Sequence, residues 1–359
     1  MAKPSAKFFP NSHKPMIQTD KIAVVILNWN GRDMMRRFLP SVVRHSADLG
    51  LVVVADNGST DGSLEMLEAE FPEVERLPLP QNYGFAAGYN EALRQIGAPY
   101  YLLLNSDVEV TEGWLRPLRD YMEAHPETAA CQPKLLWQRQ KDTFEYAGGA
   151  GGYLDRLGYP FCRGRVFGTL EKDHGQYDTV APLLWATGAA LLVRRTDWED
   201  AGGLDGRFFA HMEEIDFCWR LRCRGRQVVC VPGSVAYHVG GATLDAGHPR
   251  KTFLNFRNNL LMLYKNLPEG ELHSVMRWRT LLDGVAALQF LLKGQLDHFK
   301  AVVRARREYR RLRPEFEAAR RENLARAVDG AQVAERRRFC LLFQYYFKGR
   351  KQFSALPRL

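Results

Sequence analysis

Apolar positions along the first 130 residues fall into two rhythms, and the rhythms alternate. Residues 22–27 (IAVVIL) are an unbroken β-branched run, the pattern of a strand covered on both faces. Residues 33–45 then place an apolar side chain every three or four positions, which predicts a helix. The same reading gives strands at 51–55 (LVVVA), 74–77 and 100–104 (YYLLL), and helices at 61–70, 85–96 and 114–124. Ser59, Thr60 and Asp61 stand where caps of the second helix belong. Strand–helix alternation at this pace predicts an α/β fold with a doubly wound, mostly parallel sheet. Such sheets bind ligands beyond the C-terminal ends of their strands.

The middle of the chain is less regular. Residues 147–168 are dense in glycine and aromatics and read as a long loop or lid. Residues 183–194 are hydrophobic, 214–224 predict a helix, and 227–231 a strand ended by Pro232-Gly233. From about residue 251 helical periodicity takes over. Trp278, Leu281, Leu282, Val285, Leu288, Leu292, Leu296, Phe299 and Val303 form one broad stripe over 275–303. Residues 304–313 and 318–338 are arginine-rich and helical in pattern, and 339–353 mixes aromatic with basic residues, as an interfacial helix does. The expected organisation is a flexible leader (1–20), a catalytic domain (21–250) and a basic amphipathic helical C-terminal region (251–359).

Charge sharpens that division. The chain has 359 residues and a formal net charge of +9. From residue 250 onward there are about 24 basic and about 10 acidic side chains, roughly +14, so the body before it is mildly acidic. That argues against a nucleic-acid-binding body and directs any polyanion or membrane-surface contact to the tail. Six cysteines in so long a chain are no disulfide scaffold. Cys218, Cys223, Cys230 and His238 lack the close pairs of a structural zinc site, so buried reduced thiols of a cytoplasmic protein are the better reading. The leader has no apolar core of a secretory signal, and no run reaches the length of a membrane span.

Four polar clusters stand at the ends of the predicted strands. They are Asn28-Trp29-Asn30-Gly31, then Asp56-Asn57-Gly58-Ser59-Thr60-Asp61, then the loop 82–90 with Asn82, Gly84, Gly88 and Asn90, then Asn105-Ser106-Asp107. On one rim of the sheet, such side chains and backbone N–H groups suit a nucleotide. Neither the G-x-G-x-x-G fingerprint nor a P-loop is present. Each cluster alone also reads as a turn or a helix cap. A fifth cluster, Glu213-Glu214-Ile215-Asp216, sets three carboxylates among aromatics. Mutual repulsion and desolvation there raise a carboxylate pKa toward general-base work, although acids at a helix start also serve the dipole. A sixth, Tyr237-His238-Val239-Gly240-Gly241-Ala242-Thr243, offers His238 as a metal ligand or a packed histidine.

Taken in order, VVILNWNG, VVVADNGSTDGS, NYGFAAGYN, LLLNSDVEV, ATGAALLVRR, GGLDGRFFAHMEEIDFCWRLRCRG and AYHVGG resemble the family 2 glycosyltransferases. The resemblance is to the branch with bacterial rhamnosyltransferases and galactofuranosyltransferases. It implies a GT-A fold, a nucleotide-diphosphate sugar donor and a divalent cation, Mg²⁺ or Mn²⁺. It implies that Asp56 and Asn28 contact the base or ribose, with Asn30, Asn57, Asn82, Gly84, Gly88, Asn90, Asn105 and Ser106 around the nucleotide sugar. The family's Asp-x-Asp motif reads Asn105-Ser106-Asp107, which leaves Asp107 as the metal carboxylate and His238 as a second metal or diphosphate contact. The family often has Glu-Asp-x-Asp at the acidic motif. Here Glu214 holds the base position, and Glu213 and Asp216 are the other candidates. Trp185, Thr187 and Gly188, with the segment 146–161, are expected near sugar and acceptor.

The activity implied is inverting transfer of a sugar, from dTDP-rhamnose or a UDP-sugar, to a glycan or lipid-linked acceptor in cell-surface polysaccharide synthesis. A catalytically inactive nucleotide-sugar- or glycan-binding protein is the alternative, because Asn105 and Glu214 replace acids of the motif. The C-terminal region then reads as a contact with an anionic membrane surface, on the cytoplasmic face of the inner membrane, or as an oligomerisation region.

Overall fold

Side chains of the first long strand go alternately to opposite faces of a central sheet, and both faces are covered. Ala23 and Val25 join one core with Tyr89, Leu93, Trp198 and Phe217. Val24 and Ile26 join a second with Met35, Leu39, Leu67 and Leu118. That double burial is why the strand is apolar at every position. The computed structural model describes residues 15–240 and 247–357. Most of the expected leader (1–14) and Gly241, Ala242 and Thr243 lie outside the described residues.

The elements are, in order, β1 (Ile17–Gln18), β2 (Ile22–Asn28), α1 (Arg32–Ser46), β3 (Gly50–Asp56), α2 (Ser63–Glu70), β4 (Glu75–Pro78), α3 (Gly84–Leu93), β5 (Ile96–Gly97), β6 (Tyr100–Leu104), β7 (Val108–Val110) and α4 (Leu115–Ala124). The middle gives β8 (Thr128–Trp137), β9 (Gln140–Phe144), β10 (Gly152–Leu154), β11 (Pro160–Cys162), β12 (Arg165–Val166), β13 (Thr169–Leu170), β14 (Ala181–Pro182), β15 (Ala190–Arg194), α5 (Arg195–Ala201), α6 (Glu213–Cys223) and β16 (Gln227–His238). The C-terminal region gives α7 (Pro249–Asn266), α8 (Glu269–Leu292), α9 (Leu296–Leu312) and α10 (Glu317–Ala325).

The main sheet has the order β14-β16-β8-β15-β6-β2-β3-β4. Its first half, β4-β3-β2-β6, is parallel as expected. Beyond it β15 runs antiparallel to both β6 and β8, while β8 and β16 are parallel to each other. The sheet is therefore mixed.

Three local expectations change. The glycine-rich segment 147–168 is no open lid: it supplies most of a four-stranded antiparallel meander, β10-β11-β12-β13, whose Tyr153, Phe161 and Val166 are buried. The strand at 227–231 does not stop at Pro232-Gly233. It runs on to His238, and a register shift against β8 between Val231 and Val235 absorbs the two residues. Within the tail 339–353, Phe343–Phe347 form one π-helical turn with Phe343, Tyr346 and Phe347 exposed, while both ends pack on the meander. Phe339 and Phe353 stack on Phe161 and Tyr153 of the meander, Leu341 N–H donates to Asp155, and Phe353 N–H donates to Glu171. Residues 318–338 are helical only as far as Ala325.

The C-terminal helices are continuous with the core beneath the main sheet. Leu260, Leu261, Met262 and Leu263 of α7 are fully buried in the same cluster as α3 and α6. Lys265 at its end donates to the partly buried Asp205 (2.7 Å) and the fully buried Asp216 (2.8 Å). The described cysteines are free, and all but the partly exposed Cys340 are buried.

Candidate active site

Strand register builds the first half of the site. The last residues of β2 and β3, Asn28 and Asp56, are register partners. The Asn28 amide donates to Asp56 Oδ2 (3.0 Å) and Ser59 Oγ (3.1 Å), and Asp56 Oδ1 accepts from Ser59 N–H. Asn28 Oδ1 is buried without a partner. Asn30, at φ 51°, accepts from Thr60 N–H, which ties the first cluster to the second. Asn57 donates to Asn82 Oδ1 and the Gly84 carbonyl and accepts from Tyr83 N–H, which draws in the third. Gly84 sits at φ +79°, and a Cβ there would meet the Phe209 ring at 2.7 Å. Ser106 Oγ lies 3.7 Å from where a Cβ on Gly31 would stand, so the fourth cluster adjoins the first.

The second half forms where three strands meet. His238 ends β16 opposite Val108 of β7, so it falls beside Asp107, and its Nε2 lies 3.1 Å from Asp107 Oδ1. On the other side of the ring, Nδ1 lies 3.2 Å from Glu145 Oε1, at ion-pair distance but out of line for a hydrogen bond. Burial alone would lower the imidazole pKa. The Glu145 charge, then the hydrogen bond and charge of Asp107, outweigh it and lift it to about 10. Burial would raise Asp107, but the His238 hydrogen bond and charge hold it below the usual carboxylate range. The Asn105 amide lies 3.4 Å from the same Nε2, which a protonated ring donates to Asp107 instead.

Two adjacent ligands of a small divalent cation, each about 2.1–2.3 Å from it, lie about 3 Å apart. Asp107 Oδ1 and His238 Nε2 have that spacing and could hold such an ion. Among the described residues no ready-made cage of three or more protein ligands exists. That fits a cation completed by phosphate oxygens and water.

The acidic motif opens α6. Glu213 is buried and Glu214 is partly exposed, and the Oε2 atom of each is buried without a partner. Burial raises Glu214 to about 6, against N–H groups of the helix start. Burial, then the Glu214 charge, push Glu213 well above the usual range. Behind them the backbone is forced: Phe209 (φ 68°), His211 (φ 70°) and Met212 (φ 74°) all have left-handed φ. Asn258 of α7 holds this turn, its amide donating to the carbonyls of Phe208 (2.9 Å), Ala210 (2.8 Å) and His211 (2.8 Å). The Phe209 carbonyl accepts from Phe85 N–H, so the turn also grips the glycine loop. Gly188 backs Glu214, at 3.7 Å from its Cβ by the position a Cβ on the glycine would take. One residue on, the Ala189 carbonyl accepts from Asn105 N–H. The segment 187–189 therefore links the carboxylate to the Asp107 cluster.

Five expected site residues are elsewhere. Asp216 is fully buried under Arg220, Lys265 and Asn266 and cannot meet an acceptor. Trp185 lies flat on Gly152 in the core, its indole N–H donating to the Tyr153 carbonyl. Thr187 is buried and accepts from Ala189 N–H. Asn90 clamps the Leu204 backbone through both its N–H and its carbonyl oxygen. Gly88 serves packing, since a Cβ there would strike Leu27 at 2.8 Å. Sequence reasoning missed Glu145 and Asn258. Glu145 stands two residues before the supposed lid, in a stretch given no element, and Asn258 in a helix read only for its apolar rhythm.

Residues 23–174 match the family model described as glycosyl transferase family 2. That stretch, less than half of the chain, resembles this family. The chain is 29% identical over 238 residues to an N-acetylglucosaminyl-diphospho-decaprenol L-rhamnosyltransferase of Mycobacterium tuberculosis, covering 61% of this chain and 76% of that one. Its fold is of the GT-A type. It matches GalNAc-T7 solved with UDP, GalNAc and Mn²⁺ (TM-score 0.53, 14% identity, 72% of this chain) and spans about half of that protein's length, 49%. It also matches S. aureus TarS 1-349 in complex with UDP (TM-score 0.51, 15% identity, 85% of this chain and 88% of that one). At these identities the structural likeness concerns the fold alone.

Proposed function

We propose that the chain is an inverting, metal-dependent glycosyltransferase. It moves a sugar from a nucleotide-diphosphate donor, dTDP-rhamnose first and a UDP-sugar next, to a hydroxyl of a glycan or lipid-linked acceptor in cell-surface polysaccharide synthesis. One observation carries the reading: Glu214 presents an unpartnered carboxylate oxygen beside Gly188, one residue from the carbonyl that ties down Asn105.

In this reading Asn28 and Asp56 receive the base and ribose, with Asn30, Asn57, Asn82 and Gly84 shaping the wall, and Asn105 and Ser106 line the path to the diphosphate. Asp107 and His238 hold Mg²⁺ or Mn²⁺, which when bound neutralises charge developing on the diphosphate leaving group. Glu145 fixes the His238 ring from behind. Glu214, ionised near neutral pH, takes the proton of the acceptor hydroxyl. That oxygen bonds to the anomeric carbon on the face opposite the diphosphate, the carbon–oxygen bond to the diphosphate breaks, and the nucleoside diphosphate leaves with the electron pair. Burial and the neighbouring Glu214 charge favour the neutral form of Glu213, which lessens repulsion of the charged Glu214. The inactive-binder alternative has no observation in its favour.

The relative named a rhamnosyltransferase supports rhamnose as the sugar, and the named decaprenol-linked substrate of that relative supports a lipid-linked acceptor. The test is nucleoside-diphosphate release from a panel of dTDP- and UDP-sugars with Mn²⁺. Release from one donor, abolished by Asp107→Ala and by Glu214→Gln, is expected. Full activity in both variants would refute the site.

A further inference from the structure

α8 is built inside out. Its inner face carries charge: Arg279 and Asp283 are buried, paired with each other, with Arg306 of α9 and with the Asn259 side chain. Its outer face is apolar. Trp278 (48% exposed), Leu281 (57%), Val285 (57%), Leu288 (52%) and Leu292 (79%) recur at spacings of three and four along one side. A helix of a soluble protein normally turns that stripe to the core. A run of exposed large side chains five positions long marks a contact surface.

The charge around the stripe says what covers it. Between His273 and Leu292 the one acidic residue is Asp283, and it faces inward. The exposed rim is cationic, with Arg277 near one end and Lys293 at the other. The turn into α9 adds exposed Leu296 and Lys300, with Asp297 3.9 Å from the lysine. Along α9 a groove of about 610 Å³ is lined by Lys300, Val303, Arg304, Arg307, Glu308 and Arg311. A second copy of α8 would fit the three–four spacing, but along the stripe itself, from Arg277 to Lys293, it would bring cationic rims together with no exposed acidic side chain between them. Among the described residues no helix is long and apolar enough to cross a membrane. Apolar side chains flanked mainly by Lys and Arg, with Asp297 and the Arg311-paired Glu308 beside them, complement an anionic lipid surface, in which the side chains enter the acyl boundary and the cations stay at the headgroups.

We propose that the outer face of the α8–α9 hairpin, from Trp278 to Leu296, seats the protein on an anionic bilayer surface. The proposal does not depend on the transfer reaction, since vesicle binding and nucleoside-diphosphate release are read separately.

The test is flotation of the full chain with vesicles of phosphatidylcholine, with and without phosphatidylglycerol. Expected is recovery with the anionic vesicles and little with the neutral ones. Leu288→Ser combined with Leu292→Ser should weaken partitioning roughly tenfold or more while thermal unfolding and nucleoside-diphosphate release in solution stay unchanged. A second readout leaves the leucines intact: brominated lipid should quench tryptophan fluorescence in the native chain and much less in Trp278→Phe. Equal recovery of native and double-leucine chains, or quenching unaffected by Trp278→Phe, would overturn the proposal. So would a native dimer that dissociates in the leucine variant and ignores vesicles, since a second copy then covers the face.

Discussion

Replacing Asn258 with Ala should separate stability from activity. The Asn258 amide has two N–H groups serving three carbonyls, those of Phe208, Ala210 and His211, at 2.8–2.9 Å. The Phe208 carbonyl keeps the Ala210 N–H and Arg257 as donors, so the loss leaves two carbonyls, those of Ala210 and His211, short of a donor at about 1–3 kcal/mol each. If the turn kept its shape, the chain would lose about 2–6 kcal/mol by this count. The turn has a reason to move, because three non-glycine residues, Phe209, His211 and Met212, have left-handed φ. Each holds about 1–3 kcal/mol that relaxation releases. Relaxation recovers stability, but it shifts Met212 and with it the start of α6, where Glu214 stands. The expected result is therefore a drop of about 2–3 kcal/mol in urea unfolding, with kcat falling on the order of a hundredfold, as for a misplaced base. Asn258→Asp, nearly the same shape but unable to donate when ionised, should be at least as harmful. Tryptophan fluorescence in urea and nucleotide release measure the two effects. Native kcat in either variant, with stability lowered by less than about 1 kcal/mol, would refute the claim that this amide holds the base in place.

Other outcomes follow from the same geometry. With Glu214 raised to about 6, kcat/KM should fall as pH drops through that value, and Glu214→Gln should abolish transfer at every pH. Because that folded-state pKa is raised from 4.5, the group's contribution to stability is full below about 4.5 and lost as pH rises through 6. Glu214→Gln should therefore be about 1–2 kcal/mol more stable than the native chain at pH 8 and no more stable at pH 4, by urea titration. Lys265→Met should cost about 3–5 kcal/mol, since Asp205 and Asp216 lose a buried cation at 2.7 and 2.8 Å. Asp107→Ala should lose the thermal stabilisation given by Mn²⁺ with a nucleoside diphosphate, and a chelator should stop transfer in the native chain until Mn²⁺ is returned.

The parallel half of the sheet was legible because a strand buried on both faces is apolar throughout, and its polar termini then mark the rim. Asn28, Asp56 and Asp107 were found that way. Asn90, Trp185 and Asp216 were misread although they sit in the same motifs. A motif fixes residue types in order but not which side chains face inward, and the Leu204 backbone, Gly152 and Lys265 that claim them lie far along the chain. Distance in sequence also hid Glu145, which reaches His238 only because β9 folds back on β8 and β16 lies beside β8. The apolar stripe over 275–303 was seen but read without a direction. Gly294 divides it, and burial of Arg279 and Asp283 turns its first part outward.

The meander β10-β11-β12-β13 has its own timing. Asp155 waits for Leu341 across 186 positions and Glu171 for Phe353 across 182, and the rings that close on Tyr153 and Phe161 come from the same late stretch. During synthesis, roughly half of the polypeptide leaves the ribosome while those aromatics stand uncovered. Sticky intermediates, chaperone capture and aggregation of prematurely terminated chains should therefore centre on this patch, far from the nucleotide rim.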